Sequence, residues 1–476
     1  MAAQVSASRR SVRILDPAAG SGTLLCAVVE RLASAGTRLQ HADLTAYETD
    51  HDLQSVLSDV LENLKRWAAK RGVTVCAKVE KRDFLSAHTE ALTTTDHLFH
   101  SQKVQPFDLV IANPPYFKIP RSDSRARAAT SVVHGQPNIY ALFMAAGAAL
   151  LREGGEFLFI TPRSFTSGPY FRLFRETFFA GVRPTRVHVF SSRRQAFGRD
   201  SVLQENIILK GVRDHGWQSR DGRLELCISS SVGIADLDNS IRRSLPLEEA
   251  LGRPGTDRVL KLPILKDEDA AVRLVDSWSG SLHDYGMNIS TGPVVPFRAT
   301  GFLDEAGAPA DSYAPLIWMN HVHAMRISFP NSFRKPQYIR RSASERSLLL
   351  PNRNYVLLRR FSAKEEPRRL VASPWLKRFS SCPLLGVENH LNYIHRPGGE
   401  LAEDEAVGLA ALLNSELLDT YFRVSSGNTQ VSATELRAMP LPPRNTILMI
   451  GRRAKAVPGC GESLEEIVAE AIGTRK

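Results

Sequence analysis

Ile14-Leu15-Asp16-Pro17-Ala18-Ala19-Gly20-Ser21-Gly22-Thr23-Leu24-Leu25 decides the fold. A short apolar strand runs into a glycine-rich turn. The segment after it carries Leu24, Leu25, Val28, Val29 and Leu32 at helical spacing, the opening of a Rossmann-like unit. Gly20 and Gly22 can adopt positive φ and let a ligand come close to the backbone. Leu25 stands where the dinucleotide fingerprint needs its third glycine, so a pyrophosphate-bearing cofactor is disfavoured. Outward from this turn, a second strand, Asp43-Leu44-Thr45-Ala46-Tyr47, ends in Glu48, a carboxylate where such sheets bind a ribose diol. A third element ends in Arg82-Asp83-Phe84, suited to read an adenine amino group and cover its ring. Taken singly, Glu48 or Asp83 reads equally well as a solvated carboxylate at a strand end. Their order along the chain is what argues for a nucleoside site.

A fourth apolar run, Phe107-Asp108-Leu109-Val110-Ile111-Ala112, leads directly into Asn113-Pro114-Pro115-Tyr116. An amino group conjugated to a purine ring is a poor nucleophile, because its lone pair is delocalised and no side chain of ordinary pKa deprotonates it. Geometry must take over from general base catalysis. The Asn113 side-chain oxygen and the Pro114 carbonyl, each accepting one amino proton, would push the nitrogen toward tetrahedral character and expose its lone pair. Pro114 and Pro115 stiffen that backbone, and Tyr116 can stack on a base that has left its helix. A proline-stiffened turn ending a buried strand is the alternative reading of these four residues.

In this order the segments resemble the TaqI-like amino-group DNA methyltransferases, whose gamma arrangement places the cofactor loop first, then the catalytic tetrapeptide, then the specificity region. The resemblance implies S-adenosylmethionine as cofactor, with Asp16, Ala18, Gly20, Gly22, Glu48, Asp83 and Phe84 binding it. It implies Asn113, Pro114, Pro115 and Tyr116 as catalytic residues acting on a flipped adenine. Asn138 to Phe143 looks like the helix that follows, and Gly155 to Pro162 like the fifth core strand. Between Arg193 and Leu209 the family places an aromatic that sandwiches the flipped base; Phe197 is the candidate, and Phe190 competes for the role. The resemblance resumes at Glu388-Asn389-His390-Leu391-Asn392-Tyr393-Ile394, at Leu412 to Ser415 and at Gly427 to Val431. Members usually carry, upstream of the glycine turn, a segment that packs over the methionine end of the cofactor. Met1 to Arg13 is too short and too basic for that role, so either the chain is truncated relative to its relatives or another part covers the cofactor.

Bulk properties agree with this reading. At 476 residues and 43% apolar content the chain can fill more than one core. A formal net charge of +11 favours a polyanionic partner, and double-stranded DNA is the expected one. Fourteen Lys or Arg against three acids lie between His321 and Ser380, interleaved with aromatics, as in a folded wall that contacts phosphates. Five scattered cysteines make no disulfide framework, and with no secretory leader or membrane span the expected location is cytoplasmic. No metal site is expected, since the close pair His321 and His323 has no cysteine nearby.

Alternating strands and helices predict an α/β fold, a Rossmann-like mostly parallel sheet with helices on both faces, over residues 1–213. A C-terminal mixed α/β DNA-specificity domain is expected over 214–443, entered through the turn-rich stretch Arg213 to Gly222, and a helical tail over 444–476. Site-specific adenine methylation in a restriction-modification system is the expected function, with a separate restriction endonuclease as a candidate partner. The rivals are methylation of an RNA base or a protein glutamine, which pose the same electronic problem, and a DNA-binding module that has lost catalysis.

Overall fold

The computed structural model describes residues 1–7, 9–34, 38–93, 105–190, 205–220, 223–252, 257–304, 312–332, 334–362, 366–426, 430–456 and 463–474. It divides into two compact units, Met1–Ile264 and Leu265–Lys476. The first is built on a nine-stranded sheet. Its strands are β1 (Ser11–Asp16), β2 (His41–Tyr47), β3 (Thr74–Glu80), β4 (Phe107–Ala112), β5 (Leu151–Pro162), β6 (Val182–Phe190), β7 (Asn206–Arg213), β8 (Glu225–Ser231) and β9 (Ile241–Pro246), in the order β3-β2-β1-β4-β5-β7-β6-β8-β9. From β3 to β5 neighbours are parallel, and β7 inserts antiparallel between β5 and β6.

The apolar runs of β4 and β5 are continuous because both sheet faces are covered. Leu109, Ile111, Leu158 and Ile160 point into a core shared with α1 (Thr23–Leu32) and α2 (His51–Ala69). Val110, Ala112, Phe157 and Phe159 alternate to the other face and pack with the helices Ile139–Ala149 and Arg172–Gly181. Strand order reverses beside β1, which has β2 on one side and β4 on the other. In doubly wound sheets the crevice for ligands opens at the carboxyl ends of the strands flanking such a reversal.

The first unit extends to Ile264, well past the expected boundary at 213. β8 pairs in parallel with β6, and β9 closes against β8, so the sheet continues through the turn-rich stretch. That stretch is itself anchored: Trp217 is buried and donates its indole N–H to the Phe179 carbonyl at 2.9 Å. Turn chemistry marked a bend there, and long-range pairing made the bend part of the domain.

The second unit holds a four-stranded antiparallel sheet in the order Asn288–Thr291, Leu391–His395, Tyr355–Arg359, Ala372–Trp375, together with a five-stranded sheet. The helical stretch expected from Leu401 to Phe422 is two helices, Glu403–Leu413 and Glu416–Ser425, divided where Ser415 caps the second by accepting from the Leu418 N–H. The expected tail at 444–476 is not separate. Helix Arg444–Ala456 crosses Glu403–Leu413 so closely that a Cβ on Gly408 or Gly451 would strike the facing backbone of Ile447 or Asp404. Ile447 and Ile450 are thereby part of the second core. Among the described residues, no helix is long and apolar enough to cross a membrane.

Candidate active site

β1 ends at Asp16 and β4 at Ala112, and the two strands are neighbours, with Ile14 opposite Leu109 and Leu15 opposite Val110. Adjacent strands lie about 4.8 Å apart, so the loops that leave them, one through Gly20 and one through Asn113, start side by side.

The glycine turn takes the predicted shape. Gly20 and Gly22 have φ of 54° and 83°, and the turn is tied to β2 by the Ala19 N–H donating to the Tyr47 carbonyl at 2.9 Å. A side chain at Gly22 would also come within 2.8 Å of Leu57 on α2, whereas the space at Gly20 is open. Glu48 joins the turn directly, its Oε2 accepting from the Gly20 N–H at 2.8 Å. Its Oε1 accepts from the N–H groups of Thr49 (2.7 Å) and Asp50 (2.9 Å). A carboxylate offers about four acceptor sites, which leaves room for one more donor.

Asp16 is fully buried, with Oδ1 accepting from the Ala18 N–H at 3.1 Å and no hydrogen-bond partner for Oδ2. Burial pushes its carboxyl up to about 7; the Ala18 hydrogen bond opposes this and the nearby Glu48 adds to it. A buried oxygen without a donor is costly, and a ligand that donates there would remove the cost.

Asp83 lies at the end of the third loop and is mostly engaged. Its Oδ1 caps α3 (Phe84–Ala87) by accepting from the N–H and hydroxyl of Ser86 at 2.7 and 2.6 Å. Its Oδ2 faces Arg125, which also pairs with Asp123 at 2.8 Å. The Arg125 guanidinium therefore ties the segment after the tetrapeptide to the Asp83 loop, and holds the Asp123 carboxyl down at about 2. Phe84 departs from expectation. It is 1% exposed, edge-on to Tyr47 at 5.2 Å and tilted against Phe143 at 5.4 Å. Both faces belong to the core, and the ring presents neither to a nucleoside.

At the tetrapeptide, Asn113 is exposed, Pro114 buried, and Pro115 and Tyr116 half-buried. The Tyr116 hydroxyl lies 2.6 Å from Asn113 Oδ1 and 2.9 Å from the Ile160 carbonyl of β5. One proton serves these two acceptors in turn, and the ring is held edge-on to the buried Tyr140 at 6.2 Å. Among the described residues none donates to the Pro114 carbonyl.

Phe197 lies outside the described residues. Phe190, its competitor, is buried at the end of β6 and edge-on to His188 at 4.6 Å, so it faces the core. His321 is likewise structural, with Nδ1 accepting from the Trp318 N–H and Nε2 bonded to Gln337. No group of metal-binding side chains occurs among the described residues.

Three participants were not singled out from sequence. Gln54 on α2 donates to the Glu48 carbonyl at 2.9 Å and so steadies the carboxylate loop. Arg125 links the loop after the tetrapeptide to Asp83 and Asp123. Phe117 follows the tetrapeptide, is 51% exposed, and is pinned by its carbonyl accepting from the Ile139 N–H at 2.9 Å. Its position next to Tyr116 was the available signal.

A family model described as the Eco57I restriction-modification methylase matches residues 26–197, which include Glu48, Asp83 and the tetrapeptide but begin after the glycine turn. The type II methyltransferase M.BsuBI of Bacillus subtilis is 33% identical over 442 residues, covering 93% of this chain and 85% of its own length. The type II methyltransferase M.PstI of Providencia stuartii is 32% identical over 460 residues, covering 96% and 88%. Among solved structures, a DrdV–DNA complex is 13% identical with a TM-score of 0.45, covering 94% of this chain and 54% of that one.

Proposed function

The chain belongs to the type II methyltransferases of restriction-modification systems, and from that premise we propose that it methylates the exocyclic amino group of an adenine swung out of duplex DNA. The observation that carries this reading is the exposed Asn113 amide, braced by Tyr116 and set on the strand next to the Gly20–Gly22 turn. The tetrapeptide offers neutral oxygen acceptors where a deprotonating mechanism would need a base, which suits a conjugated amine and little else.

The cofactor is S-adenosylmethionine, and the residues present fit it. It carries an ammonium and a sulfonium cation and a ribose diol. Against these stand the orphaned Asp16 Oδ2, the remaining acceptor site of Glu48 and the open backbone at Gly20. Asp16 and Glu48 would hold the cofactor, with Asp83 contributing what acceptor capacity Arg125 and Ser86 leave. When bound, it supplies a methyl group made electrophilic by its positive sulfur.

The chain's own residues do the rest. Asn113 Oδ1 and the Pro114 carbonyl each accept one amino proton and turn the nitrogen lone pair outward. Tyr116 fixes the Asn113 amide through its hydroxyl and offers a ring to the extruded base, and Phe197 is the candidate for its other face. Transfer is in line, without a covalent enzyme intermediate, and the amino proton leaves afterwards. The unit Leu265–Lys476 supplies target recognition. A separate endonuclease would cut the same site when it is unmodified.

Tritium transfer from labelled S-adenosylmethionine to duplex DNA, RNA and protein, followed by mass spectrometry of the digested product, tests the proposal. N6-methyladenine in DNA is expected. Label in RNA or in protein alone would establish one of the rival substrates, and cofactor binding without transfer to any of the three would indicate a module that has lost catalysis.

A further inference from the structure

The turn between the strands Leu384–Val387 and Leu391–His395 is Glu388-Asn389-His390. It is held tightly, with the Glu388 N–H donating to the Ile317 carbonyl, the Asn389 N–H to Val294 and the Leu391 N–H back to Glu388, all between 2.9 and 3.0 Å. The Glu388 side chain is completely buried, and neither carboxylate oxygen has a well-formed hydrogen bond. Its close polar contact is His390 Nδ1, and the His390 side chain is 47% exposed. Phe361 meets the imidazole edge-on at 5.0 Å. Arg360 binds the same turn through the Asn389 carbonyl at 3.1 Å and lies 5.6 Å from the Phe361 ring centre.

A buried carboxylate is costly unless a cation offsets it, and a pair of this kind serves stability no better than apolar residues of similar size. Burial pushes the Glu388 carboxyl up, His390 is the largest opposing influence, and Lys335 contributes weakly. Lys335 is otherwise placed over the Trp318 ring at 4.8 Å. With Nδ1 directed inward at the carboxylate, the other ring nitrogen of His390 points away from it. The result is an exposed imidazole held in one orientation by a buried carboxyl, beside a half-buried guanidinium and a half-buried aromatic ring.

We propose that His390 contacts DNA with a proton held between its Nδ1 and Glu388, so that the Nε2–H donates to an acceptor on the duplex, either a phosphate oxygen or a guanine edge, with Glu388 as its positioning residue. The inference rests on the reading that the unit Leu265–Lys476 engages DNA.

The test uses the full-length protein and two duplexes, one carrying the site that the enzyme methylates and one scrambled, with affinity measured across a salt series. His390→Ala is expected to weaken binding about tenfold and to leave kcat at saturating DNA unchanged. If the acceptor is a phosphate, both duplexes weaken alike. If it is a guanine, only the cognate duplex weakens. Glu388→Gln should reproduce the loss, the double variant should lose no more than either single one, and His390→Lys should restore binding in both backgrounds. Wild-type affinity for His390→Ala on both duplexes would overturn the proposal, as would losses that add in the double variant. Should Glu388→Gln fail to fold, His390→Ala and His390→Lys decide alone. A wild-type protein that bound neither duplex would sink the underlying function as well, whereas a wild type that binds alongside an unaffected His390→Ala protein sinks this inference only.

Discussion

At the carboxyl edge of the first sheet, residues singled out by chemistry come together on neighbouring strands; in the basic stretch of the second unit, residues singled out by charge are largely engaged elsewhere. Glu48 is bonded to the glycine turn and Asn113 leaves the neighbouring strand. By contrast, Arg369 is 1% exposed, bonded to Ser362 and packed against Phe422. Arg368 binds Asn414 and Glu465, Arg359 the Val322 carbonyl, Arg353 the Gly399 carbonyl, and Arg378 pairs with Glu403. Motif order brings residues to one sheet edge because each stands at the end of a strand. Net charge summed over a long stretch marks no such edge, because guanidinium groups are also the common means of satisfying buried carbonyls. Exposed cations such as Arg334, Arg340 and Arg346 remain as the candidates for phosphate contact.

The sharpest way to break this contrast is Asn113→Ala, expected to keep the fold and to lower methyl transfer on the order of a thousandfold or more, since orientation alone can supply that much. Full methylation by this variant, read by mass spectrometry of digested DNA, would remove the tetrapeptide from the mechanism. Next in size, Arg369→Ala is expected to destabilise the second unit by about 3 kcal/mol through lost packing and hydrogen bonding, with no change in the salt dependence of DNA binding. Urea unfolding and a salt series separate the two effects, and an altered salt slope would return Arg369 to the DNA-facing set.

Asp16→Asn tests the cofactor side. Because burial holds the folded carboxyl at about 7, above its ordinary value, the folded state binds the extra proton. Its contribution to stability is therefore complete below the unfolded pKa and is lost as pH rises through about 7. A neutral amide in that position carries no such penalty, so the variant should be more stable than the parent at about pH 8, by about 2 kcal/mol, while binding S-adenosylmethionine at least roughly tenfold more weakly. In the parent, affinity for this cationic cofactor should fall as pH drops through about 7, and calorimetry on the variant should show that fall abolished. Equal pH profiles would detach Asp16 from the cofactor. The smallest effect is expected at single exposed cations: Arg346→Ala should weaken DNA binding only about threefold and make the salt slope shallower by about 0.9. A loss confined to one sequence would make Arg346 a base-reading residue instead.

Much of the first unit was readable because its signals are local. A left-handed turn requires Gly20 and Gly22, and a strand covered on both faces requires an unbroken apolar run. The strand-end carboxylates follow from the same logic. What failed was whatever depends on distant partners. Phe84 has the right neighbours in sequence, yet Tyr47 and Phe143 close over it. The boundary at 213 looked sound until β8 and β9 extended the sheet, and the tail became part of a core once Gly408 and Gly451 let two helices touch.

By itself the sequence determined the sheet's opening strands, the glycine turn, the rigid Asn113 to Tyr116 loop and the class of cofactor, because each is written in residues that must be adjacent in the chain. Only the tertiary structure decided which cations are free to meet a polyanion, that Tyr116 braces Asn113, that Asp16 is raised by burial, and that a sealed Glu388 stands behind an exposed His390. Burial and hydrogen-bond saturation are set by atoms far apart in sequence, and composition does not record them.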